Sequence, residues 1–361
     1  MNDVKILGAG LSGLTAAITL RKAGKRVIVY EKGRNPSSRI IWGLQILKNY
    51  EYENGIDIVE RIKRKFDVLI ENYCKIFNFK IFSPSLERCE IYSSSPIYYL
   101  IERGFLSSTS LDMQLYKEAR ALGVEFQFGK SACKDAKIIA RGPIRMDAVG
   151  AVASFRAFDK KNEIYLFYNN YYAPAGYIYL FRWGRKIEVG LAAPSLSLHS
   201  KPQTLLQRAI SEIKILSEYL EECEMTGKPR FVYCDVDIPF SAYKKGKYYV
   251  GEAAGFLNAS KGTGVYYAIA SGYLAAKSII TGENYDKLWK KEFKKELVEG
   301  FKKRIVWQRM SNKDYDKMIR RLGSSLSIEE YMEGKKKTLK RYLMNLLYPY
   351  YLIKWKLFRR L

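Results

Sequence analysis

Short apolar runs broken by glycines set the rhythm of the first thirty residues. Val4 to Leu7 reads as a buried strand, Leu14 to Lys22 as a helix closed by Gly24, and Arg26 to Tyr30 as a second strand ending at Glu31. Residues 57–80 carry a helical, basic pattern. Ser93 to Phe105 is Tyr- and Ile-rich and reads as strand, and Leu111 to Leu122 is an amphipathic helix closed by Gly123. Val124–Phe128 and Lys137–Ala140 read as short strands. Between about 150 and 245 the texture turns to β: Val152–Phe158, Ile164–Phe167, Tyr177–Arg182, Ile187–Ala192 and Phe231–Val236, with one helix over Leu205–Glu222. Tyr248–Val250 returns to a buried strand and Val265–Ile280 to a helix.

The first strand leads into Gly8-Ala9-Gly10-Leu11-Ser12-Gly13, which opens the first helix. Strand, glycine turn, helix, strand and terminal acid are the full context of a dinucleotide fingerprint. Gly8 serves the tight turn, Gly10 lets main chain approach a diphosphate, and Gly13 lets helix and strand pack closely. The helix start, with Leu11 and Ser12, offers N–H groups to phosphate. Glu31 is placed to accept hydrogen bonds from both ribose hydroxyls, and its charge repels a 2′-phosphate. The ligand expected is therefore FAD or NAD rather than NADP. A second glycine-rich strand-to-helix junction, Gly251-Glu252-Ala253-Ala254-Gly255 followed by Gly262-Thr263-Gly264, offers further main-chain amides.

These elements predict an α/β chain. A Rossmann-type dinucleotide-binding domain (an FAD-binding domain, as the resemblance below implies) would hold residues 1–80, a mixed segment 81–145 that returns to it, and 246–285. An inserted antiparallel β-sheet substrate domain would hold 146–245, and a helical region with a basic amphipathic tail 286–361.

Composition narrows the chemistry. The chain has 361 residues, a formal net charge of +25 and a single histidine, His199, so a mechanism needing several histidines is excluded, and His-rich zinc sites and Ser-His-Asp triads are not expected. The five cysteines show no CxxC pair, which fits a reducing compartment and buried thiols, and no metal site is expected. No signal peptide or membrane-spanning run is read, so the expected location is cytoplasmic, peripheral at the inner membrane surface. The last 27 residues hold nine Lys or Arg and no acid. Leu339, Tyr342, Leu343, Leu346 and Leu347 recur at helical spacing, and Pro349 is expected to interrupt. Tyr351, Leu352, Trp355 and Phe358 then continue an apolar face beside Lys354, Lys356, Arg359 and Arg360. Such a face suits an anionic membrane surface, or equally a helix packed on the body. No nucleic-acid module accompanies the charge, so nucleic acid is not an expected partner.

Three stretches carry a family resemblance: Gly8 to Glu31, Pro174-Ala175-Gly176-Tyr177-Ile178-Tyr179-Leu180-Phe181-Arg182-Trp183-Gly184, and Gly251 to Tyr267. In this order they resemble the geranylgeranyl reductase family, within the para-hydroxybenzoate-hydroxylase-like flavoproteins, over residues 1 to about 285. The second is similar to that family's Pro-Gly-Gly-Tyr with Trp-x-Phe-Pro. The third is similar to its Gly-Asp-Ala-Ala-Gly and later Gly-x-Gly. The resemblance implies noncovalent, extended FAD and reduction of isolated C=C bonds in polyprenyl chains of membrane lipids or prenylated quinones. It also implies that the second stretch borders the lipid pocket, and that the third lies by the ribitol and isoalloxazine. Cofactor-binding candidates are thus Gly8, Gly10, Leu11, Ser12, Gly13, Glu31, Lys32, Arg39, Gly251, Glu252, Gly255, Gly262 and Gly264.

The chain departs from the family pattern at several points. Glu252 replaces an Asp, Ala259 a Pro, Tyr179 and Arg182 the Trp and Pro of the second stretch, and Arg141 the Thr of Ala-Thr-Gly. The loop Arg39-Ile40-Ile41-Trp42-Gly43 lacks the family's cysteine. These changes could mark a divergent paralogue with another substrate.

Adding hydride to a double bond also requires a proton. With one histidine in the chain, water or a tyrosine is the donor, and Tyr177 and Tyr179 are the candidates. Residues two apart on a strand share a face, so Tyr177, Tyr179 and Phe181 should form one aromatic wall with Arg182 pointing away. The same rings would also serve as plain wall packing. Trp42 joins Tyr177, Tyr179 and Phe181 as a pocket candidate. With one full fingerprint in the chain, the electron donor is NAD(P)H docking transiently or a reduced carrier protein. Two other readings stay open: an FAD-dependent monooxygenase or dehydrogenase of an aromatic or other small substrate, and a nonenzymatic FAD- or lipid-binding paralogue.

Overall fold

The opening apolar run is central because both faces of its strand are covered. In the computed structural model, which describes residues 3–49, 56–336 and 339–358, Ile6, Val27 and Val29 are fully buried. Val4–Leu7 lies inside a six-stranded sheet of order Tyr243–Lys244, Lys247–Tyr249, Ile138–Ile139, Val4–Leu7, Val27–Glu31, Glu125–Phe128. All neighbours run parallel except the Tyr243–Lys244 edge. Parallel strands buried on both sides read as continuous apolar runs, which is why they were legible. The chain first builds outward from Val4–Leu7 to Val27–Glu31 and Glu125–Phe128. It then returns to pair Ile138–Ile139 on the other flank. That reversal makes a switch point at the carboxyl ends of Val4–Leu7 and Ile138–Ile139.

Two units divide the chain. One comprises residues 1–73, 101–145 and 235–299, and the other residues 74–100, 146–234 and 300–361. In the first, helices Leu11–Lys22 and Val265–Thr281 cross where Gly272 meets Ser12. A Cβ on Gly272 would lie 2.2 Å from the Ser12 carbonyl oxygen. The first helix starts at Leu11, three residues before the predicted Leu14, because Gly10 is its N-cap.

The second unit is built on a long two-stranded ribbon, Ala148–Phe167 against Tyr177–Pro194. Four predicted short strands fuse into these two. The register slips between Arg156 and Lys161, and Gly184 takes φ +60°, so the ribbon bends there without ending. The bend brings the strand back onto itself: a Cβ on Gly190 would lie 2.1 Å from the Tyr179 ring. Asn78–Phe82, Arg88–Tyr92 and Ser325–Ser327 extend this sheet, and Arg230–Cys234 pairs with Ala148–Phe167.

Three expectations need correction. The helix in 57–80 spans only Ile58–Phe66. Asp67 takes a left-handed conformation that ends it, and Cys74–Ile76 and Asn78–Phe82 are strands with Cys74, Ile76, Phe79 and Ile81 buried. The predicted Leu205–Glu222 helix is two, Pro202–Glu212 and Lys214–Leu220, broken at buried, extended Ile213. Pro349 does not interrupt: helix Leu339–Phe358 runs through it. One lost N–H bond is tolerated where neighbouring side chains hold the helix. Here Trp355 and Tyr348 contact Phe301. The side chains of Leu339, Tyr342, Leu343, Leu346 and Phe358, and residues Arg359 and Arg360, lie outside those described. No helix among the described residues is long and apolar enough to cross a membrane.

Candidate functional site

The glycine turn separates into structural and open positions. Gly8 has φ +113°, and a Cβ there would sit 2.3 Å from the Ala140 carbonyl oxygen at the switch point. On Gly13 it would sit 2.0 Å from the Gly8 carbonyl oxygen. On Gly10 it would meet nothing within 4 Å. Gly8 and Gly13 therefore let strand and helix touch, while Gly10 leaves bare main chain facing free space. The first helical bond runs from Leu14 N–H to the Gly10 carbonyl. The N–H groups of Leu11, Ser12 and Gly13 thus precede the ladder, as an anion site requires. The Leu11 and Ser12 side chains are buried, so what these residues can offer a ligand is main chain.

Glu31 stands beside this turn. Its Oε2 accepts from Ala9 N–H at 2.8 Å, and its Oε1 from Gly33 N–H and the Ser38 hydroxyl at 2.9 Å each. A carboxylate has about four lone-pair sites and three are taken, so capacity remains for one ribose hydroxyl. The following loop is tied down behind it. Ser37, at φ +49°, donates its N–H to the Ala9 carbonyl and its hydroxyl to Asp112. Fully buried Asp112 also takes Arg103 Nε at 2.7 Å, Arg103 Nη2 at 3.0 Å and Gly104 N–H at 2.8 Å. Burial alone would raise this carboxyl, but Arg103, Ser37 and Gly104 hold it below the usual range. Sequence reasoning missed Ser37, Ser38, Arg103 and Asp112. Asp112 sits in the first turn of a well-capped helix, which hid its role as a buried counter-ion.

Of the loop candidates, Lys32 is exposed, and Arg39 Nη1 pairs with Glu252 Oε2 at 2.9 Å. The longer Glu252 thus reaches the loop after the second strand. The Trp42 indole N–H donates to buried Glu102.

The second glycine junction abuts the first. Gly251, at φ +55°, would carry a Cβ 2.8 Å from the Ser12 hydroxyl oxygen, and its N–H donates to the Ser271 hydroxyl at 2.9 Å. Gly255, at φ +79°, packs on Asp237, Gly262 takes φ +65°, and Gly264 caps helix Val265–Thr281. Between Gly255 and Gly264, Asn258 Oδ1 accepts from Ser260 N–H and Lys261 N–H. The Asn258 side chain also bonds Tyr267, whose hydroxyl donates to Glu296 at 3.2 Å. Burial pushes the Glu296 carboxyl up, against the opposing charge of Lys48. A small cavity at this helix start is lined by Lys48, Asn258, Thr263, Gly264 and Glu296 among others. No motif in the sequence pointed to Glu296.

In the second unit, Tyr177, Tyr179 and Phe181 do share one face. The Tyr177 and Tyr179 rings lie 6.2 Å apart, and Tyr179 stacks on Phe181 at 4.3 Å. Burial raises both phenols well above their usual range. The Tyr179 hydroxyl donates to Glu188 at 2.9 Å. Tyr177 is near the buried Arg304, whose charge opposes that rise. Arg304 itself is lowered by burial to about 10 and donates to the Ala175 carbonyl. Ala175 holds φ +52°, a left-handed conformation that favours glycine. Arg182 does point to the other face, but it is buried there, bonded to Asp159 and the Tyr219 hydroxyl.

Comparison with known proteins bears on the fold. Residues 6–61 match the NAD(P)-binding Rossmann-like domain family. Digeranylgeranylglycerophospholipid reductase of Methanocaldococcus jannaschii is 22% identical over 402 residues, covering 96% of this chain and 98% of that protein. The solved structure of a geranylgeranyl bacteriochlorophyll reductase-like protein from Thermoplasma acidophilum superposes with a TM-score of 0.69 at 19% identity, covering 88% and 90% of the two chains. A flavin-dependent brominase superposes at 0.61 with 17% identity, covering 89% and 94%. By similarity over almost its whole length and by fold, the chain is a homologue of the digeranylgeranylglycerophospholipid reductase, with a Rossmann-like domain on the fold of the FAD-dependent oxidoreductases.

Proposed function

We propose that this chain is an FAD-dependent reductase of isolated C=C bonds in polyprenyl chains of membrane lipids or prenylated quinones. The observation that carries the cofactor is the open main chain at Gly10, with the Leu11–Gly13 N–H groups before it and the Glu31 carboxylate alongside. These residues would hold the diphosphate and the ribose, with Gly264 and the Asn258 loop as further amide donors. Bound flavin supplies hydride chemistry. The substrate class rests on the full-length similarity to the archaeal lipid reductase.

The chain's own contribution is placement and a proton. The Tyr177–Tyr179–Phe181 wall suits an apolar chain. Burial keeps both phenols protonated, and at Tyr177 the nearby Arg304 cation partly offsets that rise. We therefore assign the proton to Tyr177. NAD(P)H or a reduced carrier protein remains the electron donor of this proposal.

The test is anaerobic turnover of the purified, chemically reduced protein with a geranylgeranyl lipid, read by mass spectrometry. The product expected is heavier by one H2 for each double bond reduced. A colourless protein that refuses added FAD overturns the cofactor assignment. A flavoprotein that leaves every prenyl lipid unchanged overturns the substrate. The second reading is an FAD-dependent monooxygenase or dehydrogenase of an aromatic or other small substrate, in keeping with solved neighbours that include a flavin-dependent brominase and a probable FAD-dependent monooxygenase. Consumption of NAD(P)H and oxygen with an oxygenated or halogenated product would select it.

A further inference from the structure

The C-terminal helix Leu339–Phe358 presents two apolar faces, and the body of its unit covers one of them. On the covered face, Trp355 is buried against Phe301. Tyr348 contacts Phe301 and lies under Lys302, and Tyr351 lies 4.7 Å from the Arg309 guanidinium. Of the two readings the sequence left open for this face, a membrane surface or the body, Tyr351 and Trp355 take the second.

A different stripe faces outward. Leu347 is 42% exposed, Tyr350 60%, Ile353 57% and Leu357 69%. Their spacing of three, three and four residues keeps them within an arc of roughly 120° on an ideal helix. Four large apolar side chains in line are more than scattered surface hydrophobics, and such a stripe marks an interaction site. The charge around it selects the partner. The final 27 residues hold nine Lys or Arg and no acid, and Lys354 and Lys356 stand among the stripe residues in sequence. A protein partner would have to cover the apolar stripe and also match a segment of basic, acid-free composition. A bilayer with anionic headgroups does both: the stripe enters the acyl boundary and the cations meet phosphate.

We propose that the Leu347–Tyr350–Ile353–Leu357 stripe docks the protein on an anionic lipid bilayer, lying in the surface plane. The inference stands on the helix alone and holds whether or not the substrate is a polyprenyl lipid.

The experiment is flotation of the full-length protein, with its cofactor, on vesicles of phosphatidylcholine with and without phosphatidylglycerol. Wild type should float with the anionic vesicles, less so at high salt, and remain behind with neutral ones. Ile353→Glu/Leu357→Glu should weaken that binding about tenfold or more. Ile353→Ala/Leu357→Ala should weaken it less, because it removes apolar area without adding charge. Melting temperature and flavin content should stay at wild-type values, since these side chains touch solvent. Flotation of the Glu variant equal to wild type overturns the proposal, as does wild type that ignores anionic vesicles. Wild type sedimenting as a dimer that the Glu variant dissolves also overturns it, since the stripe is then covered by a second copy.

Discussion

Replacing Gly10 with alanine should remove the cofactor and leave the fold, whereas replacing Gly13 should damage the fold itself. Gly10 has φ −85° and ψ 179°, an extended conformation open to any residue, and its new methyl meets nothing within 4 Å. In the free protein the change should be worth within about 1 kcal/mol, because a stiffer unfolded chain offsets a slightly poorer cap. With ligand the methyl occupies the space that a diphosphate needs. Losing two hydrogen bonds to a charged group, at about 1.5–3 kcal/mol each, weakens binding by roughly a hundredfold or more. Gly13→Ala instead drives a methyl to 2.0 Å from the Gly8 carbonyl oxygen. That overpacking costs about 1–3 kcal/mol before any ligand is present. The assay pairs thermal melting of the flavin-free protein with flavin titration by fluorescence quenching. Wild-type flavin affinity in Gly10→Ala would refute the reasoning. So would a Gly10→Ala melting temperature as low as that of Gly13→Ala.

Other outcomes follow from the same geometry. Asp112→Asn leaves Arg103 buried without its anion and should cost about 3–5 kcal/mol in urea unfolding. Because the Asp112 carboxyl is depressed, its stabilisation is whole above the unfolded value near about 4 and is lost as pH falls through the folded value. The acid limb of the stability curve should therefore be shallower in Asp112→Asn, and an unchanged limb would contradict the pairing. Glu296→Gln keeps an acceptor for the Tyr267 hydroxyl and should melt near wild type, whereas Glu296→Ala should lose about 1–3 kcal/mol. The raised Glu296 carboxyl contributes stability below its unfolded value near about 4.3 and loses it as pH rises through the folded value, so Glu296→Gln should flatten that loss. Tyr177→Phe should lower kcat by about a hundredfold with KM little changed, and Tyr179→Phe by much less. Equal effects would remove Tyr177 as the proton source.

What the sequence disclosed, and what it hid, divides by range. The strand Val4–Leu7, its glycine turn and Glu31 lie within thirty residues, and local pattern alone placed them. The aromatic face of Tyr177, Tyr179 and Phe181 followed from a period of two. The fused ribbon was hidden because its bend at Gly184 and the slip after Arg156 look like turns in one dimension. The Asp112–Arg103–Ser37 cluster joins the loop at Ser37 to a strand and helix some seventy residues on, and no local pattern encodes such a meeting. Glu296 was hidden for a plainer reason: on a helix dense in Lys and Glu, one buried carboxyl looks like any surface charge. In the tail, helical periodicity gave apolar faces without saying which of them the body covers, so the exposed positions Tyr350, Ile353 and Leu357 were not singled out.

The crowding around Ser12 has an evolutionary reading. Gly13, Gly251 and Gly272 each admit no side chain without collision, so this junction is closed to drift, and a saturation library should return almost nothing but glycine there. Arg34, exposed on the neighbouring loop, should accept wide substitution. Any descendant that came to prefer another nucleotide would therefore have changed the loop and kept the junction.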